Sequence, residues 1–181
     1  MEAQQWTGPV PESMAELTRV LMPSPIGPLG VELLGTAVTR LVIEPAEPAR
    51  SCFTPLHQID GSDFLDEVFG RLAEYFAGAR RRLDLEFDLA AAGVGAFERR
   101  VLKETAKVPY GRTRTCHEIA EAAGRPDCRL EVLAALLGNP IPIVIPCHRV
   151  LADDGGLGEY VGGGPRKRWL LEMESQGAEL I

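Results

Sequence analysis

A chain of 181 residues with 45% hydrophobic and 25% charged content can bury one core of ordinary size or two small ones, so it reads as globular and soluble. The formal charge of −7 excludes an overall basic surface, the usual source of nucleic-acid affinity, but the excess sits in one half: residues 1–95 hold 7 Lys/Arg against 14 Asp/Glu, and residues 96–181 hold 12 against 12. No stretch approaches the roughly 18 apolar residues of a membrane span, and Met1 is followed by Glu2 with no apolar run, so a cytoplasmic protein without signal peptide, anchor or membrane partner is expected.

Residues 1–20 carry polar and proline punctuation with a weak helical pattern, and a frayed start is expected there. From Ile26 onward, apolar and β-branched residues alternate between breakers, which predicts two short strands, Val31–Leu34 and Val38–Ile43, around a Gly35-Thr36 turn. Phe64, Leu65, Val68, Phe69, Leu72, Tyr75 and Phe76 recur at helical spacing before Gly78, so this aromatic stripe reads as the core face of a helix. Leu83, Leu85, Phe87 and Leu89 alternate with charged residues and predict a strand that completes a small sheet against that helix. The Gly-Ala stretch 90–96 reads as a linker, dividing residues 1–92 from residues 93–181.

Beyond the linker, Phe97, Val101, Leu102 and Val108 predict a helix that ends at the Pro109-Tyr110-Gly111 turn. Thr115 with Glu118 three residues on matches a capping box, opening a helix that stops at Gly124. A third helix follows Pro126, with Gly138 past its end. Two short helices joined by Gly and Pro, with one helix before them, form a helix-turn-helix-like order that plain packing units share with DNA readers. Arginine clusters at Arg80–Arg82, Arg99–Lys103 and Arg166–Arg168 fit either a local basic patch or a solvated face.

The four cysteines, Cys52, Cys116, Cys128 and Cys147, form no C-x-x-C pair, so free thiols are expected, with neither a disulfide framework nor a sequence-local zinc site. Cys147 lies in "NPIPIVIPCHRV" beside His148, among Ile141, Ile143, Val144 and Ile145. Taken alone, such a cysteine fits a buried structural thiol better than a nucleophile.

"GNPIPIVIPCHRV" followed by "YVGGGPRKRWLLEME" resembles the O6-alkylguanine-DNA alkyltransferase family, and the resemblance runs from about Ser24 to Glu174. It implies an α/β N-terminal domain with a ribonuclease-H-like small sheet and helix, and a mainly helical, winged-helix-like C-terminal domain with a helix-turn-helix and the acceptor cysteine. The implied reaction is a single displacement in which a thiolate takes the alkyl group from guanine O6 and keeps it, without metal or cofactor. A thiol of pKa near 8.5 needs a base for this. By resemblance the nucleophile is Cys147, the base His148 acting through a water, the orienting carboxylate Glu174, and the brace of the preceding turn Asn139. Tyr160, Val161, Gly162, Cys116 and Pro142 fall at substrate-pocket positions, with Gly162 also readable as part of a flexible glycine turn. Arg129, Leu130 and Arg149 are candidate DNA contacts, Arg149 being equally readable as the partner of a carboxylate.

The surface for DNA departs from the family's pattern. Cys116 stands where the family has a tyrosine that can donate a proton to the leaving guanine, and a thiol is a poor donor. Leu130 stands at the arginine that fills the gap left by the extruded base, and Glu131, Val132 and Leu133 replace small neighbours. Val161 stands where Ser or Gly is usual. A negative charge and bulk there weaken approach to the minor groove, although apolar wedges also occur in minor-groove proteins. The expected partner is alkylated double-stranded DNA held by weakened contacts, with the protein a monomer. The alternatives are a repurposed member taking a group from a small-molecule donor, and a non-enzymatic lesion binder.

Overall fold

The computed structural model describes residues 17–34, 37–44, 52–56, 63–87, 89–90 and 92–178. Strands β1 (Leu17–Met22), β2 (Leu29–Leu34) and β3 (Ala37–Ile43) pair antiparallel in sequence, and the short β4 (Thr54–Pro55) joins β1 in parallel, giving the order β3-β2-β1-β4. Val20, Met22, Leu29, Val31, Leu33, Val38 and Leu41 are buried on this sheet. Helix α1 (Asp63–Phe76) buries Leu65, Val68, Phe69, Leu72 and Tyr75, the face set by its three- and four-residue spacing, and Gly78 at φ +72° ends it in the left-handed region that glycine adopts without strain.

Two expectations need correction. Residues 17–22 are a strand, not part of a frayed start; Leu17 and Leu21 share one face while Val20 and Met22 are buried on the other, so apolar residues on both faces hide the two-residue period. Among the described residues of 82–90, none belongs to a strand. Leu83, Leu85 and Leu89 are buried as their alternation requires, but only Phe87 bridges the sheet, at Val38. Asp84 sits at φ +47°, and the Arg71 guanidinium takes the Leu83 and Asp84 carbonyls that a ladder would use. The strands β2 and β3 begin two residues and one residue earlier than predicted, and their Gly35-Thr36 turn lies outside the described residues.

The second half holds α2 (Ala96–Ala106), α3 (Cys116–Ala122), α4 (Arg129–Leu137) and α5 (Gly164–Ala178). The Thr115 hydroxyl accepts from Glu118 N–H while the Glu118 carboxylate accepts from Thr115 N–H, the reciprocal cap that its sequence encodes. A parallel pair, β5 (Arg114–Thr115) with β6 (Val150–Leu151), ties the start of α3 to the segment after Cys147. One hydrophobic core runs through both halves. Backbone bonds across them, such as Leu41 N–H to Pro140 O at 2.8 Å, seat the cysteine turn on the sheet.

Candidate active site

The turn from Pro140 to Pro146 is buried apolar chain punctuated by prolines, and it carries Ile143 at φ +77°. A β-branched residue there is strained by about 1–3 kcal/mol and must be held by its surroundings. Asn139 holds it. Its Oδ1 accepts from Ile141 N–H at 3.1 Å, and its Nδ2 donates to Ile145 O at 2.9 Å and to Cys147 Sγ at 3.1 Å. One buried amide thus fixes both the turn and the sulfur.

Cys147, His148 and Arg149 form a 3-10 turn that ends in β6, all three buried. His148 Nε2 donates to Glu174 Oε1 at 2.9 Å, which leaves Nδ1, without a protein hydrogen-bond partner, as the acceptor nitrogen. Glu174 is fully buried on α5 and is held from four directions. Arg149 grips it with Nε at 2.9 Å and Nη2 at 2.8 Å, Tyr75 Oη donates at 2.6 Å, and Gly111 N–H reaches Oε2 at 3.1 Å.

Burial disfavours charge on Glu174, but the bonds to His148 and Arg149 outweigh it and hold the carboxyl down at about 2. Burial lowers His148 against the raising pull of Glu174, so the imidazole is neutral at pH 7. Burial pushes the Cys147 thiol up to about 11, partly opposed by the Asn139 hydrogen bond and by the Lys167 charge. The thiol at rest is therefore protonated, and a neutral base of fixed tautomer lies next to it in sequence. This arrangement suits a nucleophile that ionises only as it reacts.

Tyr160 is buried against His148, ring centroids 6.1 Å apart, with its hydroxyl free of protein partners. A Cβ on Gly162 would fall 2.7 Å from the Tyr160 ring and 2.9 Å from Ile43, so glycine lets this loop run between the ring and β3. Val161 between them is 43% exposed. Pro142 is buried in the turn with its backbone bridged to Ile145. Cys116 opens α3, half-buried, its thiol raised by burial and by Asp153, while Lys167 pulls it down. Arg129 and Leu130 head α4 on the surface, Leu130 at 80% exposure. Arg149 is different: with Nη1 on Val108 O and the rest on Glu174, it belongs to the buried network and not to a DNA-facing surface.

Sequence reasoning missed Tyr75, taken as core stripe, and Lys167, taken as part of a charge run. Lys167 is buried, its ammonium donating to Val150 O at 2.6 Å and Glu159 O at 3.2 Å. The signal was there: Lys167, Leu170 and Glu174 lie three and four residues apart, the spacing of a buried helix face. Among the described residues no group of three His, Cys, Asp or Glu side chains converges as metal ligands, and no helix is long and apolar enough to cross a membrane. A cleft of about 700 Å³ between residues 81–87 and the end of α2 has no wall at Cys147.

Residues 96–176 match the family model described as 6-O-methylguanine DNA methyltransferase, DNA binding domain. The chain is 41% identical over 157 residues to a methylated-DNA–protein-cysteine methyltransferase of Mycobacterium tuberculosis, covering 86% of this chain and 90% of that protein. A protein of the same name from Methanosarcina barkeri is 36% identical over 154 residues, covering 85% and 94%. The crystal structure of the Mycobacterium tuberculosis O6-methylguanine methyltransferase superposes with TM-score 0.77 at 37% identity over 92% of this chain and 97% of that one. A crystal structure from the same organism in complex with DNA gives 0.76 at 37%, over 88% and 94%. At 41% identity over 86% of its length and with a matching fold, the chain belongs to the methylated-DNA–protein-cysteine methyltransferase family.

Proposed function

We propose that this chain repairs O6-alkylated guanine in double-stranded DNA by moving the alkyl group onto Cys147 Sγ in one unrepeated step. The observation that carries it is a pair of buried contacts at adjacent residues, Asn139 Nδ2 on the Cys147 sulfur and His148 Nε2 on Glu174. The S–C bond forms as the C–O6 bond breaks, and the electron pair leaves with guanine O6. The thiol proton passes through a water to His148 Nδ1, while the departing guanine takes a proton from solvent, so charge balances. Glu174, ionised and gripped by Arg149, stabilises the transient imidazolium.

Cys147 is only 3% exposed, so the base must be extruded from the duplex and enter beside the Tyr160–Gly162 loop. Leu130 is the wedge that replaces it in the stack, which fits its 80% exposure at the head of α4. Glu131 beside it and the small Cys116 make these DNA contacts weaker than an arginine and a tyrosine would. Those same residues favour a second reading, in which the alkyl donor is a small molecule.

Intact mass after incubation with duplex DNA containing O6-methylguanine tests this. The expected result is a gain of one CH2 per chain, once, with unmodified guanine left in the DNA. Alkylation by a free-base donor but none from the duplex establishes the small-molecule reading instead.

A further inference from the structure

Asp153 lies in the loop after β6 and reaches both helices of the helix-turn-helix pair. Its Oδ1 accepts from His117 N–H in the first turn of α3 at 2.8 Å, and its Oδ2 accepts from Arg129 Nη1 at the head of α4 at 3.1 Å. The backbone bond fixes the carboxylate, so this pair is not two free side chains meeting by chance on the surface. The side chains remain 34% and 56% exposed, within reach of an external anion. Arg129 precedes Leu130, the most prominent apolar side chain of α4. The next cation along, Arg125, lies over the Phe97 ring at 4.8 Å, whereas Glu121, Asp127 and Glu131 add negative charge to the same stretch.

We infer that Asp153 is an internal rival of DNA phosphate for Arg129 and sets how weakly this chain holds undamaged duplex. The inference rests on the reading above, in which the α3–α4 face meets DNA. The Asp153 oxygen on Arg129 takes a guanidinium N–H that a phosphate oxygen would otherwise accept. While Asp153 occupies Arg129, a phosphate gains little there. An exposed pair of this kind contributes little to stability, so it opens readily when better contacts form. Undamaged DNA, which offers phosphates alone, is held less; a lesion that seats its base in the pocket adds contacts that Asp153 does not touch. Affinity is thereby moved from backbone to lesion.

The test is fluorescence anisotropy on undamaged duplex across a salt series, comparing Asp153→Asn with Asp154→Asn. Asparagine at 153 can still accept from His117 N–H but no longer competes as an anion. Asp154 carries the same charge next door, and its carboxylate accepts from Gly156 N–H. Asp153→Asn is expected to bind several-fold more tightly, with the slope of log affinity against log salt steeper by about 0.9 for one added phosphate contact. Asp154→Asn is expected to move it by less than half as much, and adding Arg129→Ala to Asp153→Asn is expected to remove the gain. Unchanged binding of Asp153→Asn, or an equal gain from Asp154→Asn, overturns the inference. Methyl transfer from duplex DNA containing O6-methylguanine separates the two claims. Its absence in the wild type overturns the repair reading, whereas unchanged Asp153→Asn binding with alkylation intact overturns the role of Asp153 alone.

Discussion

Tyr75 and Glu174, ninety-nine residues apart, meet in a buried 2.6 Å hydrogen bond that joins the helix of the first half to the carboxylate of the candidate active site. The phenol is pushed well above its ordinary range by burial and then by the Glu174 charge, so it remains a donor throughout the neutral range. Tyr75→Phe removes one donor and leaves His148 and Arg149 in place. A hydrogen bond to a buried charge contributes about 1.5–3 kcal/mol, and a loss of that size in urea unfolding is expected. A change below the error of the unfolding midpoint would show that the phenol is incidental.

The role of His148 is visible in a pH–rate profile for alkylation of Cys147. With the thiol at about 11 and the imidazole lowered by burial, the wild-type rate is expected to be flat from neutral pH to mildly alkaline pH. His148→Ala loses the base, slowing the reaction at pH 7 by about 10²-fold or more. Its rate should then climb about tenfold per pH unit toward pH 11, as the thiolate alone becomes the limiting species. Glu174→Gln should slow it comparably and also destabilise the fold, because Arg149 is left buried without its counter-charge, a change worth about 3–5 kcal/mol. Variants that react at the wild-type rate would assign thiolate formation to another group.

Acid should unfold the protein through the same network. A carboxyl held at about 2 against an ordinary 4.5 binds fewer protons folded than unfolded, so stability rises with pH between those values. The displacement is worth about 3 kcal/mol, present in full above about pH 4.5 and lost as pH falls toward 2. His148, lowered by burial, acts in the same direction below its ordinary 6.5. Thermal melts from pH 7 downward should fall in the wild type, and the fall between pH 4.5 and 2 should be shallower in Glu174→Gln.

Much of this was legible in the sequence because it is local. The capping box of α3, the stripe of α1 and the P-C-H-R-V motif are spacing rules within a few residues. What escaped notice depends on contacts distant in sequence. β1 exists because β2 and β4 flank it, and its apolar residues occupy both faces. Residues 82–90 alternate like a strand, but Arg71 claims their carbonyls. Tyr75 resembles its core neighbours until Glu174 is placed over its hydroxyl, and Arg149 resembles a DNA contact until both its faces are filled.

The DNA surface can be tested by restoring the residue types that the family has. Cys116→Tyr with Leu130→Arg and Glu131→Ala adds one positive charge and removes one negative charge. If about two more phosphates are neutralised, the salt slope for undamaged duplex should steepen by roughly 1.8. Tight wild-type binding at physiological salt, unimproved by the triple substitution, contradicts the claim of weakened contacts.

The proposed acceptor, the Cys147 thiol activated by its neighbours, is identified by peptide mapping after reaction with O6-benzylguanine. This free base needs no DNA contacts, so the altered helix face has no bearing on the outcome. Cys52 is exposed and Cys116 half-buried, so simple accessibility favours them over the buried Cys147. The benzyl group is expected on Cys147 alone, one per chain. Label on Cys52, Cys116 or Cys128 with Cys147 unmodified would contradict that assignment.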